Sequence, residues 1–167
     1  MRLIDKSFLK EPKKFVGQSL LAALVVAIIL YFIDLFTNFV IVAGLGASTF
    51  IVFAMPNSIT ARPRHVIGGH VVGVISGSAC YYAFLTGPLG GLAASSGFIF
   101  IVACALSVGL AIFLMTITNT EHPPAAATAL GIVAYGWSYQ AVVFVLASAG
   151  GLALAWKWLK PRLKDLI

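Results

Sequence analysis

The chain contains 167 residues, of which 60% are hydrophobic and only 10% are charged, and its mean hydropathy is +1.02. A soluble domain of this size needs a polar surface, and globular proteins typically carry about 25% charged residues. The composition therefore excludes a water-soluble globule and predicts an integral membrane protein with one compact transmembrane domain.

The net charge of +6 comes mainly from basic residues near the two ends of the chain. These residues precede the first apolar run or follow the last one: Arg2, Lys6, Lys10, Lys13, Lys14, Lys157, Lys160, Arg162 and Lys164. Basic clusters beside apolar spans follow the positive-inside rule and suit anionic lipid headgroups. Because no basic groove or aromatic-basic pattern is present, the predicted partner is the lipid bilayer and not nucleic acid.

Six apolar segments follow one another along the chain, between a basic interfacial segment (residues 1–14) and a basic tail (residues 159–167). Their predicted bounds are residues 15–36, 39–56, 66–85, 97–118, 125–135 and 139–158. The second segment is expected to break at its glycines near residues 44–49, and the fifth contains only about a dozen residues. The predicted fold class is thus an all-α, polytopic transmembrane helix bundle over residues 15–158, with two short or broken segments.

Charge separates the loops into two groups. The N-terminus, the loop with Arg62 and Arg64, the loop with His122 and the C-terminus fall on one face if all six segments cross. The turns at residues 34–38, 86–91 and 136–138 fall on the other face and contain no Lys or Arg. This pattern predicts that both termini are cytoplasmic, in a bacterial inner membrane because no transit peptide is evident. Re-entrant short segments remain an alternative.

The order of long and short segments suggests two halves, residues 15–85 and 97–158. Each half consists of a long span, a short or interrupted span and a second long span, so that three crossings per half would give a 3+3 inverted repeat. Interrupted segments at matching positions of two halves are typical of a transporter's binding site.

The stretch "TNTEHPPAAATAL" (residues 118–130) places ionisable and helix-breaking residues in an otherwise apolar region. Asn119 ends the fourth span, and Pro123 and Pro124 mark the first turn of the fifth helix, where proline is tolerated. We expect the N–H groups of Ala125, Ala126 and Ala127 to be free to bind a small anion at the positive end of this helix, with the Thr128 hydroxyl nearby.

The first half offers similar ingredients at Gly46, Ala47, Ser48 and Thr49. Under inverted topology these residues would form a second helix start that faces the first near the bilayer midplane. His122 has two interpretations, a direct substrate or proton role or a structural cap, and both stay open. His70 is either a packing histidine or part of the site, and the stripe of Gly69, Gly73 and Gly77 is either a packing face or a dimer seam.

Two stretches resemble a known family. The segments "EHPPAAATAL" (residues 121–130) and "GASTFIVFAMPNSITARPRHVIGGH" (residues 46–70) are similar to the marked motifs of the HPP family of integral membrane proteins, which is named for His-Pro-Pro. The resemblance implies a small bundle of transmembrane helices and a link to nitrite transport. One departure is the run of alanines after the prolines, where glycines are expected in many relatives.

Together these features predict a transporter or channel-like permease for a small inorganic anion, nitrite or nitrate first. The alternative is a non-transporting, membrane-embedded partner or regulatory subunit. An enzyme is not expected, because a lone histidine-acid pair lacks a nucleophile or a three-ligand metal set, and no cofactor is predicted. We expect a homo-oligomer, since a bundle of 17.6 kDa is small to enclose a pathway alone.

Overall fold

The computed structural model describes residues 6–33, 39–86, 90 and 97–167, and all regular elements in these ranges are helical. The helices are α1 (Lys6–Lys10), α2 (Pro12–Ile33), α3 (Phe39–Ala54), α4 (Pro63–Cys80), α5 (Gly97–Thr118), α6 (Pro124–Tyr135) and α7 (Tyr139–Leu159). A π-helical turn (Tyr81–Thr86) extends α4, and 3₁₀ turns occupy Ile59–Ala61 and Lys160–Arg162. The all-α transmembrane bundle predicted from the sequence is confirmed.

The helices differ in length as the apolar pattern predicts. Four segments are long and apolar enough to cross a membrane: Pro12–Tyr31, Pro63–Thr86, Gly97–Thr118 and Tyr139–Arg162. By contrast, α3 has 16 residues and α6 has 12. At about 1.5 Å per residue these two helices measure roughly 24 and 18 Å, less than the ~30 Å hydrocarbon core.

Polar contacts join the start of α2 to the C-terminal segment at one end of the bundle. The amide of Gln18, on the first turns of α2, donates to the carbonyls of Phe53 and of Lys164, and it accepts from the Lys164 N–H at 3.2 Å. The carboxylate of Asp165 accepts from the backbone and side-chain nitrogens of Asn57 at 3.0 and 2.8 Å. The start of α2, the end of α3 and the C-terminal segment therefore form one clamp.

The clamp includes an exposed carboxylate outside the spans. The two hydrogen bonds from Asn57 hold the pKa of Asp165 below its usual range. A lowered pKa means that this contact stabilises the fold at pH values above the unfolded-state pKa. The contribution is lost as the pH falls through the lowered pKa.

The loop between α3 and α4, which contains Arg62 and Arg64, lies at the same end. The Trp156 indole donates to the Pro56 carbonyl at 3.0 Å, and the Arg64 guanidinium donates to the Thr118 carbonyl at 3.1 Å. At the opposite end, the Trp137 indole donates to Ser78 Oγ at 3.1 Å. The described parts of the four basic segments thus lie at one end, whereas residues 1–5, the 34–38 turn and most of the 86–91 turn lie outside the described residues.

The helix contacts are symmetric under exchange of the two halves. The main contacting pairs are α2–α3, α2–α7, α3–α6, α3–α7, α4–α5, α4–α6, α4–α7 and α5–α6. If α2, α3 and α4 are exchanged for α5, α6 and α7, this set of pairs reproduces itself. Because α2 leaves the basic end and α5 returns to it, equivalent helices run in opposite directions, as an inverted repeat requires.

Candidate functional site

Four buried polar side chains from separate parts of the chain meet between α3, α4 and α6. Ser48 Oγ lies 3.0 Å from Nε2 of His70 and 2.9 Å from Nε2 of His122. Nδ1 of His70 lies 2.9 Å from the Thr128 hydroxyl, and Nδ1 of His122 lies 2.9 Å from the Thr60 carbonyl oxygen. Ser48 and His122 are completely buried, so these hydrogen bonds are shielded from solvent.

The Thr60 carbonyl sets the direction of this hydrogen-bonded chain. A carbonyl can only accept, so a neutral His122 ring carries its proton on Nδ1 and accepts from the Ser48 hydroxyl at Nε2. Ser48 Oγ in turn accepts from Nε2–H of His70, which leaves Nδ1 of His70 to accept from the Thr128 hydroxyl. Every member is thereby satisfied while both histidines are neutral, so the cluster presents hydrogen-bonding groups without a fixed charge.

The glycine stripe of α4 brings α6 close enough for these contacts. A methyl group on Gly69 would lie 2.6 Å from Cβ of His122, and one on Gly77 would lie 2.7 Å from the Ala129 carbonyl oxygen. A methyl group on Gly73 would overlap the Ala125 carbonyl oxygen. The packing-face interpretation is confirmed and the dimer-seam interpretation is wrong, because all three glycines are buried against α6 and its preceding loop within the same chain.

The cluster lies inside the bundle, below the basic end. Ser48 precedes the end of α3 by six residues and His70 follows the first residue of α4 by seven, which places both roughly 10 Å along their helices. The loop before α6 dips to the same depth, because Thr120 contacts Gly68 and His122 contacts Gly69. This descent explains why α6 is short.

A small cavity adjoins the cluster, and one of its polar lining residues, Ser148, is not among the residues predicted from the sequence. Ser48, His70, Thr128 and Ser148 line it together with apolar side chains of α3 and α7, and about 10 Å³ is open to the centre of a water molecule. Ser148 is 4% exposed, and its hydroxyl has no hydrogen-bond partner among the described residues. A serine within an apolar run was a weak signal, since Ser76 and Ser107 have the same character.

The cavity lies between the two halves of the repeat. Ser48 and Thr128 come from the equivalent short helices α3 and α6, and His70 and Ser148 come from the equivalent long helices α4 and α7. Each half thus contributes one hydroxyl from its short helix and one polar side chain from its third helix.

The predicted second helix start is wrong. Helix α3 runs without a break from Phe39 to Ala54, so residues 46–49 lie in its interior and offer no helix N-terminus. Ser48 and Thr49 face inward, and the Thr49 hydroxyl donates to the Leu45 carbonyl of its own helix, whereas Gly46 and Ala47 face outward. An unpaired backbone group costs several kcal/mol in a membrane, more than the roughly 1 kcal/mol penalty of glycine in a helix.

The predicted helix start at the prolines is confirmed, but its free donors are not. Helix α6 begins at Pro124, and Pro123 before it already has helical dihedral angles of −50° and −39°. The N–H of Ala125 therefore donates to the His122 carbonyl at 2.9 Å, and that of Ala126 donates to the Pro123 carbonyl at 3.1 Å. Two of the three expected anion donors are thus engaged, and Ala127 lies within the helix.

Asn119 is placed away from the cluster. It follows the end of α5 with φ of 52°, a left-handed conformation that asparagine adopts readily at a helix terminus, and its side chain is exposed. Its predicted role in ending the fourth span is confirmed, but its placement beside the site is wrong.

Within the residues that the structure describes, no three His, Cys, Asp or Glu side chains are grouped as a metal site.

Comparison with known proteins finds two relatives that are named as transmembrane proteins. A transmembrane protein of Dictyostelium discoideum is 31% identical over 158 residues, which are 90% of this chain and 48% of that protein. A second transmembrane protein of the same organism is 40% identical over 91 residues, 54% of this chain and 29% of its own length. The chain thus spans less than half the length of these relatives, and no solved structure matches it significantly.

The remaining comparison covers nearly the whole chain. The transmembrane region that defines the HPP family matches residues 9–163, which include all the helices from α2 to α7. The chain therefore belongs to the HPP family of integral membrane proteins.

Proposed function

We propose that this chain is a permease for a small inorganic anion, nitrite first and nitrate second, and that the anion passes through the cavity between the two halves. The observation that carries the proposal is the convergence of Ser48, His70, Thr128 and Ser148 on one buried cavity at the interface of an inverted repeat. Transporters built from inverted repeats bind their substrates at this interface.

The chemistry of the lining suggests that the anion enters with a proton. An unpaired charge in a buried site costs several kcal/mol, and no Lys or Arg occurs between Arg64 and Lys157. The ionisable members of the cluster are His70 and His122. A proton on Nδ1 of His70 would make that nitrogen a donor, and the Thr128 hydroxyl would then be free to turn toward the anion.

Passage also requires motion, because about 10 Å³ suffices for one water molecule and nitrite has three heavy atoms. Rocking of one half against the other would widen the cavity, since its lining comes from both halves. We further propose that the basic end faces the cytoplasm of a bacterial inner membrane and that the working unit is a homo-oligomer.

Uptake by proteoliposomes tests the transport proposal. Purified protein should accelerate nitrite uptake over protein-free liposomes, in a series with nitrate, formate and chloride. His70→Gln and Thr128→Val should each reduce uptake about tenfold, while Thr116→Val on the exposed face of α5 serves as a matched control. Uptake that is no faster than in empty liposomes would overturn the proposal and favour the partner-subunit alternative.

The same liposomes test proton coupling. An inward proton gradient should increase the initial rate of nitrite uptake by the wild-type protein, and His70→Gln should abolish this increase. A rate that does not respond to the gradient would contradict coupling while leaving anion permeation intact.

A further inference from the structure

A second cavity lies at the basic end, far from the histidine cluster. It has a volume of about 260 Å³ and is lined by the start of α2 and by the segment that follows α7. Four of its lining residues are cationic, namely Lys13, Lys14, Arg162 and Lys164. We call it the basic-end cavity.

Charge in and around this cavity is strongly unbalanced. Glu11 and Asp165 are nearby acids outside the lining, and the Glu11 carboxylate pairs with Lys14 at 2.6 Å and with Lys164 at 3.6 Å. The hydrogen bond from Lys14 holds the pKa of Glu11 below its usual range, so the carboxylate stays ionised. The lining itself contains these four cations and no acid, so positive charge remains in excess beside Glu11 and Asp165, and neither Lys13 nor Arg162 has a side-chain partner among the described residues.

Apart from Gln18, the rest of the lining is apolar. Leu21 and the buried Leu163 form part of the wall, and Gly17 leaves open space because a methyl group added there would meet no neighbouring segment within 4 Å. The hydrogen bonds of Gln18 to Lys164 join the two sides of the cavity. Below it, Leu20 and Leu24 are exposed on α2, where acyl chains would lie.

We infer that the basic-end cavity binds the phosphodiester headgroup of an anionic phospholipid. Cationic side chains surround the phosphate, and the apolar wall and exposed leucines continue toward the hydrocarbon region. Basic pockets between helices at the membrane surface have this chemistry. Free phosphate carries the same negative charge but has no apolar part to contact the apolar wall. The apolar wall therefore favours a lipid over free phosphate.

Lipid titration of the purified full chain tests this inference. Short-chain phosphatidylglycerol should raise the melting temperature of the protein in neutral detergent more than phosphatidylcholine of equal chain length. Lys13→Gln combined with Arg162→Gln should raise the half-saturating concentration of phosphatidylglycerol about thirtyfold. The control, Arg62→Gln with Lys157→Gln, makes the same change in net charge outside the cavity and should keep wild-type affinity.

Two further measurements test the inference, namely the melting temperature without lipid and the melting temperature with inorganic phosphate. Without lipid, the cavity variant should melt like the wild type, because neither altered side chain makes a hydrogen bond in the described part of the chain. Equal loss of affinity in both double variants would overturn the inference by showing a diffuse charge effect. Inorganic phosphate that stabilises the protein as well as phosphatidylglycerol does would overturn the lipid assignment.

Discussion

At the scale of single residues, Ser48 connects the two buried histidines. Its hydroxyl donates to one ring and accepts from the other, so each histidine depends on it for a hydrogen bond. The rings of His70 and His122 also contact each other edge to face, with centroids 5.2 Å apart. One serine thus links both rings, while the Thr60 carbonyl fixes the direction of the hydrogen bonds and so the tautomers.

Removal of this hydroxyl should destabilise the protein. Ser48→Ala leaves Nε2–H of His70 and Nε2 of His122 without partners, and each buried unsatisfied group costs about 1–3 kcal/mol. The free energy of unfolding in mixed micelles should therefore fall by about 2 kcal/mol or more. Ser19→Ala, at an exposed position of α2, is the matched control. Equal stabilities of the two variants would contradict the proposed hydrogen bonds of Ser48 with the two histidines.

Ser148 should behave in the opposite way. Its hydroxyl is buried without a partner in the described residues, so Ser148→Ala removes an unsatisfied polar group and should leave stability unchanged or raise it by up to about 1 kcal/mol. Nitrite uptake should nevertheless fall several-fold, since the cavity loses a hydrogen-bond donor. A variant with unchanged uptake would exclude Ser148 from the anion path.

At the scale of elements, the contact between α4 and α6 positions the site. The carbonyls of Ala125 and Ala129 pack directly over Gly73 and Gly77, so the two backbones touch without intervening side chains. Close backbone approach through small residues is a common way for helices to associate in membranes. It also places Thr128 beside His70.

A methyl group in this contact should separate the helices. Gly73→Ala should lower the free energy of unfolding by about 1–3 kcal/mol, the usual cost of overpacking, and should reduce uptake because Thr128 moves away from His70. Gly109→Ala is the control for the glycine-to-alanine change, since a methyl group there would meet no neighbouring segment within 4 Å. This variant should stabilise its helix by about 0.5–1 kcal/mol. Similar losses in both variants would refute the packing argument.

The elements also show which features were predictable from the sequence. Long apolar runs and paired prolines are local signals, and they predicted the bounds of α5 and the start of α6 correctly. The glycines of α3 led to a wrong prediction of a helix break, because membrane helices keep their backbone hydrogen bonds even where glycine has a poor helix propensity. The contacts of Ser48 with His70 and His122 join residues 22 and 74 positions apart, and such pairings arise from tertiary packing that no local pattern encodes.

At the scale of the whole molecule, the polar cavity and the basic end occupy separate positions in the two-half arrangement. The cavity lies where the halves meet, so it changes whenever one half moves against the other. The basic end is closed by the clamp of Gln18, Asn57 and Asp165, which joins the first helix to the last segment. The clamp therefore joins α2, the end of α3 and the C-terminal segment at the basic end, apart from the cavity that α3, α4, α6 and α7 line.

This arrangement predicts that both termini and the loop after α3 are exposed on the same side of the membrane. Single cysteines introduced at Lys10, Arg62 and Lys164, with Cys80 and Cys104 replaced by alanine, should all resist a membrane-impermeant maleimide in intact cells. All three should react in inverted vesicles, because basic segments remain in the cytoplasm. A cysteine at Tyr139, at the opposite end of the bundle, should show the reverse pattern. Labelling of position 62 from the side opposite to positions 10 and 164 would contradict the contacts of Asn57 with the C-terminal segment and the inverted arrangement built on them.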